Sequence, residues 1–391
     1  MKILVAACGF AWSDVGGAQR IAAEFSNTMV QRGHNVMVMF ENKRQKPCFY
    51  KLDSKLRLCD IYQNYGILLT SCYASWQKII REIIHGIDGK RVINWNLYCG
   101  CLGAKSKELN RDIQSFHPDI IVSFDPAATA ALMYLSIHTP IISMLHCDPE
   151  VLRSSPAQVR KALVCVQNQV LLPYMKENFL RIIPNSRVEV IPNAVTQYRV
   201  TANLAKKKQI YRLICVARLH TDKRPDILIE SFAKIANVFP NWILELWGED
   251  VSLGEKLRKQ IQTHHLEDRI FLKGTTTDIG TIYINADLFA LASPKEGFGL
   301  GMAEAMSAGL PVVAFKNCQA ASTLIQDDDN GLLAEDTVSD FSMKLGILMK
   351  DQERRVEMGL AAHRSMKRFT PEIVYDKWEI LMKNVVASSK L

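Results

Sequence analysis

The chain has 391 residues, 48% hydrophobic and 23% charged, with a mean hydropathy of −0.01. This excludes a low-complexity or disordered chain, and at ~150 residues per domain it leaves room for two or three domains with real cores. The formal net charge of +8 is uneven: residues 1–191 hold 22 basic and 15 acidic side chains, a net +7, and residues 192–391 hold 26 and 25, a net +1. The first half is the expected meeting place for something anionic.

The opening run MKILVAACGFAW has the charged start and apolar stretch of a signal peptide. It lacks a persuasive small-x-small cleavage site and runs straight into Gly16-Gly17, so a buried first strand is expected. A helix, AQRIAAEFSNTMVQRG, and a second strand, HNVMVMF, follow. Residues 43–117 then break the rhythm. Six Lys and Arg, among them Lys43, Arg44 and Lys46, stand against Asp53 over 43–57. WQKIIREIIHGI carries a helical stripe (Trp76, Ile79, Ile80, Ile83, Ile84, Ile87) with Lys78 and Arg81 off it. Two readings stay open for it: a helix packed on its own sheet, which stripes of this spacing favour, and an interfacial helix resting on anionic lipid.

DIIVSF, ATAALMYLS and PIISMLH resume the alternation. The charge-free stretch from Pro126 to Cys147 contains His138 and Pro140, and reads as helix then strand rather than as a membrane span. The pattern restarts after residue 192. YRLICVAR, WILELWG, RIFLKG, ADLFALAS and LPVVAF read as strands, with DILIESFAKIANVFP and SLGEKLRKQIQTHH as helices between them. Strands apolar on both faces, alternating with helices, predict two doubly wound α/β domains with parallel sheets. The boundary is expected near IPNAV, residues 191–195. The ten cysteines show no CxxC spacing, and Cys99-Gly-Cys101 is the only close pair; reduced thiols in a cytosolic protein are expected.

The chemistry concentrates in ADLFALASPKEGFGLGMAEAMSAGLPVVAF. A strand ends near Ser293, Glu296-Gly297-Phe298-Gly299-Leu300-Gly301 forms a turn, and a short helix closes at Gly309 and Pro311. Glycines there let backbone N–H groups approach a ligand, and the helix N-terminus favours a phosphate. Glu304, eight residues after Glu296, is placed to accept hydrogen bonds from hydroxyls just beyond the phosphates. A buried turn with a capping Glu is the competing structural reading.

Here the chain resembles the nucleotide-sugar glycosyltransferases of family four, which are retaining and have the GT-B fold. Their E-x7-E motif is matched by Glu296 and Glu304. VARLHTDKRPDILIESF carries the family's basic pair at Arg218 and Lys223, and WILELWGED resembles the strand ending in a turn at Gly248. IPNAV, DDDNGLLAED and Gly16-Gly17-Ala18-Gln19-Arg20 fall in family order. The resemblance implies two Rossmann-like domains facing across a cleft. Residues 1–191 would bind the acceptor, with a C-terminal helix at 372–391 crossing back, and 192–371 would bind the donor.

It further implies that Arg218 and Lys223 neutralise the donor diphosphate and that Glu304 binds ribose. Glu296 would contact the sugar, and the backbone of Phe298, Gly299 and Leu300 would hold sugar and phosphate. Gly16 and Gly17 would close over the phosphates, and His146 would hydrogen-bond the sugar or its developing charge. The implied reaction is a same-face substitution guided by the leaving phosphate, needing no metal or other cofactor, with a UDP-sugar as the expected donor. The sequence departs from the family at Arg224, where Gly usually follows the Lys, and at Ala194, Thr196 and Ala292. Arg224 is open to a phosphate contact or plain solvation. Asp327-Asp328-Asp329 contains a formal DxD, but Asn330-Gly331 after it reads as a turn.

The expected partners are the donor, a glycan or lipid-linked acceptor and an anionic membrane surface, with no nucleic acid. The expected location is cytoplasmic, peripheral on the membrane face, where Lys43, Arg44, Lys46, Lys78 and Arg81 would meet the acceptor side. A non-catalytic glycosyltransferase-like binding subunit and a nucleotide-sugar epimerase are the alternatives.

Overall fold

The apolar runs form the centres of two separate sheets. The structure is a computed structural model and describes residues 1–13, 15–42, 46–66, 105–135 and 137–389. The chain divides into two compact units, residues 1–191 with 375–391, and residues 192–374.

The first unit is built on seven parallel strands in the order β3-β2-β1-β4-β5-β6-β7. These are β1 (Lys2–Ala7), β2 (Asn35–Phe40), β3 (Arg57–Asp60), β4 (Ile120–Ser123), β5 (Ile141–Leu145), β6 (Gln167–Val170) and β7 (Arg187–Val190). The opening run is an inner strand, paired to β2 on one side and β4 on the other, with Ile3 to Ala7 fully buried. Apolar residues on both faces suit that position, since helices cover both sides of a parallel sheet. β6 is the exception. Asn168 and Gln169 are buried in it, and their amide nitrogens donate to backbone carbonyls of Leu163, Arg187 and Ile191. Those bonds are what make a polar strand tolerable in a core.

The second unit holds six parallel strands in the order β10-β9-β8-β11-β12-β13. They are β8 (Tyr211–Val216), β9 (Trp242–Trp247), β10 (Ile270–Gly274), β11 (Leu288–Leu291), β12 (Val312–Phe315) and β13 (Leu332–Ala334). One face packs Leu213, Leu244, Leu246 and Phe315 against Leu228, Phe232, Leu257 and Phe341 from the covering helices. The strand order reverses between β8 and β11, and ligands of doubly wound sheets bind beyond the carboxyl ends of strands at such a reversal.

The helix predicted over DILIESFAKIANVFP is shorter than its apolar pattern, Pro225–Ala233, and turns follow it. The final helix, Pro371–Ser388, begins in the second unit and ends in the first. There Tyr375 and Trp378 pack on Phe25, with ring centroids 6.2 and 5.2 Å away, and Arg32 and His34 pair with Asp376 and Glu379 at 2.7 and 2.9 Å.

The helical stripe at Trp76–Ile87, with Lys78 and Arg81, lies outside the described residues, as do Lys43, Arg44 and the Cys99–Cys101 pair. Lys46 is described and exposed. Cys8, Cys215 and Cys318 are free and buried, as small hydrophobes are. No described helix is long and apolar enough to cross a membrane.

Candidate active site

At the carboxyl end of β8 the chain is squeezed between two glycines. Gly248, which follows β9, has φ +150°, and a Cβ there would lie 2.0 Å from the Ala217 carbonyl oxygen and 3.1 Å from the Arg218 nitrogen. On Gly301 a Cβ would lie 2.8 Å from the carbonyl oxygen of Val216. Only glycine permits both approaches. The ladder between β8 and β9 extends past the strands, with Ala217 N–H donating to Trp247 O at 2.9 Å and Leu219 N–H to Glu249 O at 2.8 Å. Arg218 therefore sits on a pinned backbone. Gly248 supplies that pinning, and the family resemblance also implies that it borders the donor.

The Arg218 side chain is 48% exposed, with Asp222 3.7 Å away. A single 3-10 turn, Thr221–Lys223, brings Lys223 back toward the strand ends, where its Nζ donates to Glu296 Oε1 at 2.8 Å. Burial works to raise the pKa of Asp222. The hydrogen bond from His220 and the charges of Lys223 and Arg218 outweigh it and hold the carboxyl below its usual range. Arg224 adopts the left-handed conformation, φ +49°, at the entry to helix Pro225–Ala233. That conformation is the physical reason a glycine would suit this position. The Arg224 side chain is tied to its own unit. It pairs with Asp336 at 2.6 Å and lies over the Phe315 ring.

Gly299, φ +76°, opens helix Leu300–Ser307, whose N-terminus has no side-chain cap. Uncapped N–H groups at a helix start suit an anion. Phe298 is buried edge-on against Phe369, which commits its ring to the core. Inside the helix Glu304 is 2% exposed. Its two carboxylate oxygens accept from Thr196 Oγ1 and Tyr283 OH, each at 3.4 Å. Thr196 is fixed in turn by Ser307, which donates to its carbonyl at 2.6 Å. Ser293 Oγ is buried without a hydrogen-bond partner at the end of the same strand region. The structure thus brings Arg218, Lys223, Glu296, Gly299 and Glu304 to one end of one sheet. Thr196 and Tyr283 were missed in the sequence reading. Thr196 stood out only as a departure from the family pattern, 108 residues from its partner Glu304.

In the first unit Gly16 precedes helix Gly17–Gln31, again without a side-chain cap, and Gly17 has open space where a Cβ would stand. His146 follows β5 with its ring stacked on Phe124, centroids 5.1 Å apart. Its Nε2 is covered and has no hydrogen-bond partner among the described residues, and burial pushes the imidazole pKa down to about 4.

Two family profiles account for most of the chain. The one described as glycosyltransferase family 4 matches residues 15–197, and the one described as glycosyl transferases group 1 matches residues 199–365. The chain belongs to this glycosyltransferase family.

Among its relatives is an exopolysaccharide phosphotransferase of Streptomyces coelicolor, 26% identical over 96% of this chain and 40% of that protein. The GtfA subunit of a UDP-N-acetylglucosamine–peptide N-acetylglucosaminyltransferase of Streptococcus gordonii is 31% identical over 46% of this chain and 37% of its own. This chain therefore spans about two fifths of the length of these curated relatives. Staphylococcus aureus TarM, crystallised with fondaparinux, α-GlcNAc-glycerol and UDP, superposes with a TM-score of 0.75 at 16% identity, covering 97% of this chain and 99% of that one. The two parallel-sheet units are the GT-B fold of such glycosyltransferases.

The acidic run of the chain is occupied with its own turn. Asp328 takes φ +68° and pairs with Arg354, and Asp327 accepts from the Leu333 N–H.

Replacing Gly248 by Ala forces either β9 or the Arg218 loop to move, with an expected cost of about 1–3 kcal/mol for the imposed backbone strain. Urea unfolding measures it, and an unchanged midpoint would refute the packing role. His146 gives a pH prediction. Its folded pKa lies below the ~6.5 of the unfolded chain, so the unfolded state takes up the extra proton. Stability is full above pH ~6.5 and falls as pH drops toward 4. A His146→Phe protein is expected to lose less stability than wild type between pH 7 and pH 5 in thermal unfolding. Equal losses would contradict the burial of a neutral ring.

Proposed function

We propose that the chain transfers a sugar from a nucleotide-diphosphate donor to a glycan or lipid-linked acceptor, with retention of configuration and without a metal. One observation carries this reading: Arg218 and Lys223 stand at the strand ends beside an uncapped helix N-terminus, with Glu304 held beneath two hydroxyls. A diphosphate leaving group gains charge as the glycosidic bond breaks, and fixed cations and N–H dipoles at that point stabilise the transition state more than the ground state. Glu304 faces the ribose hydroxyls, and Glu296 a hydroxyl of the sugar. His146, neutral at pH 7, acts as a hydrogen-bond partner rather than as a general acid. Departure of the phosphate on the face that the acceptor attacks preserves the configuration.

Among nucleotide-sugars, a UDP-sugar is the first donor to test. The Streptococcus gordonii relative is named for UDP-N-acetylglucosamine, and TarM was crystallised with UDP and α-GlcNAc-glycerol. Residues 1–191, with their net +7, take the acceptor side. The acceptor is anionic or presented on an anionic membrane surface.

Release of free nucleoside diphosphate from a donor panel, with acceptor extract present, tests the reaction. Arg218→Ala and Glu304→Ala are each expected to cut turnover by about 10²–10³-fold. Undiminished turnover in both would overturn the site. No release with any donor would leave the fold serving as a binding subunit. Co-flotation with anionic but not neutral vesicles is expected for the membrane-facing role, and equal binding to both would remove it.

A further inference from the structure

The second sheet has a flank that does not follow the rule for buried parallel strands. Leu213, Leu244 and Ile270 point into the core from β8, β9 and β10. Their alternate neighbours, Arg212, Glu245, Trp247 and Lys273, point to the opposite face. Helix Ile279–Asn285, only seven residues long, leaves that flank partly open. Together with the linker 206–210 it borders an open concavity of about 660 Å³. That volume falls within the range of small-molecule sites.

The cavity is lined by five cations and a single carboxylate, although this half of the chain is nearly neutral. The carboxylate is already consumed. Glu245 is 4% exposed, with one oxygen accepting from Arg212 Nη1 at 2.6 Å and the other from the Trp247 indole at 3.2 Å. Lys208 pairs with Asp287 at 2.7 Å. Lys206, Lys207 and Lys273 are exposed and have no carboxylate partner among the described residues. The Lys273 ammonium lies 5.4 Å from the Trp247 ring centroid. Three uncompensated ammonium groups around one concavity repel one another, and a multivalent anion relieves that repulsion. Arg212, held in place by Glu245, keeps further N–H donors for it.

We propose that this cavity binds a compact ligand carrying two or more phosphate groups. Lys206, Lys207 and Lys273 bind the phosphates as point charges, and Arg212 adds directed hydrogen bonds. Trp247 offers a flat surface to any ring attached to them. The site is distinct from the one at Glu304. Tyr283 reaches Glu304 from one side of helix Ile279–Asn285, whereas Thr281, Ile282 and Asn285 line the cavity from the other. The proposal does not depend on the transfer reaction.

Calorimetric titration of tripolyphosphate and of ATP into the full chain carrying Arg218→Ala and Lys223→Ala tests it, because those changes remove the basic pair of the donor site. One saturable site is expected. Lys206→Gln, Lys207→Gln and Lys273→Gln together should weaken binding at least about tenfold. The charge-matched set Lys256→Gln, Lys259→Gln and Lys350→Gln should leave it within about threefold. All six lysines are exposed, so neither set threatens the fold. Tighter binding of ATP that disappears in Trp247→Ala identifies a ring-bearing phosphate ester as the ligand; equal binding of the two identifies a bare phosphate chain. Absence of saturable binding for both probes, or equal weakening by the two lysine sets, overturns the proposal.

Discussion

The carbonyl groups at the end of β8 have glycine against them on both sides, and the candidate site depends on that double approach. Gly248 closes on Ala217 from the end of β9, and Gly301 closes on Val216 from the first turn of helix Leu300–Ser307. Strand, turn and helix are thereby fixed against one another by backbone contact rather than by side chains that could change rotamer. Arg218 emerges from the pinned segment, and Glu304 lies one turn further along the pinned helix. Positioning of this kind matters because charge stabilisation in a transition state falls away quickly when the donors are misplaced.

The charges of the site are balanced internally before any ligand arrives. Lys223 and Glu296 form a close, partly buried pair, and Arg218 lies near Asp222, which His220 also binds. Neither cation is left exposed in low dielectric without a counter-charge, a condition costly enough to distort a fold. In the proposed reaction a diphosphate competes with these carboxylates for the same cations. Arg218, half-exposed and 3.7 Å from its carboxylate, is the cation more easily redirected. Lys223, at 2.8 Å from Glu296, ties the turn after β8 to the glycine-rich turn before helix Leu300–Ser307. In this account Arg224 carries no charge for the ligand, being committed to Asp336.

Much of the architecture was legible in the sequence because most strands advertise themselves by apolar runs. KILVAAC, HNVMVMF, YRLICVAR and LPVVAF are strands for the reason the pattern suggests: each lies inside a sheet, with the apolar centre of the run buried. The strands that went unread are those whose environment differs. Gln167-Asn168-Gln169 is polar and buried by virtue of hydrogen bonds to distant carbonyls, which no local pattern reveals. β3, β7 and β13 are short. The E-x7-E carboxylates and the basic pair were legible because a recognisable motif carries them. The hydroxyls that hold Glu304 were not, since Thr196 and Tyr283 reach it only through tertiary folding. The left-handed backbone at Arg224 was equally hidden, because its residue type argues against that conformation.

The central claim is that a nucleotide-sugar donor sits at the carboxyl ends of β8 and β11, between the basic pair and Glu304. The most direct measurement is an experimental structure of the chain with UDP bound. The account predicts the diphosphate within hydrogen-bond reach of Arg218, Lys223 and the Gly299–Leu300 N–H groups, with the ribose hydroxyls on Glu304. UDP bound elsewhere in the chain, with the Lys223–Glu296 pair and the Glu304 hydroxyl contacts undisturbed, would contradict it.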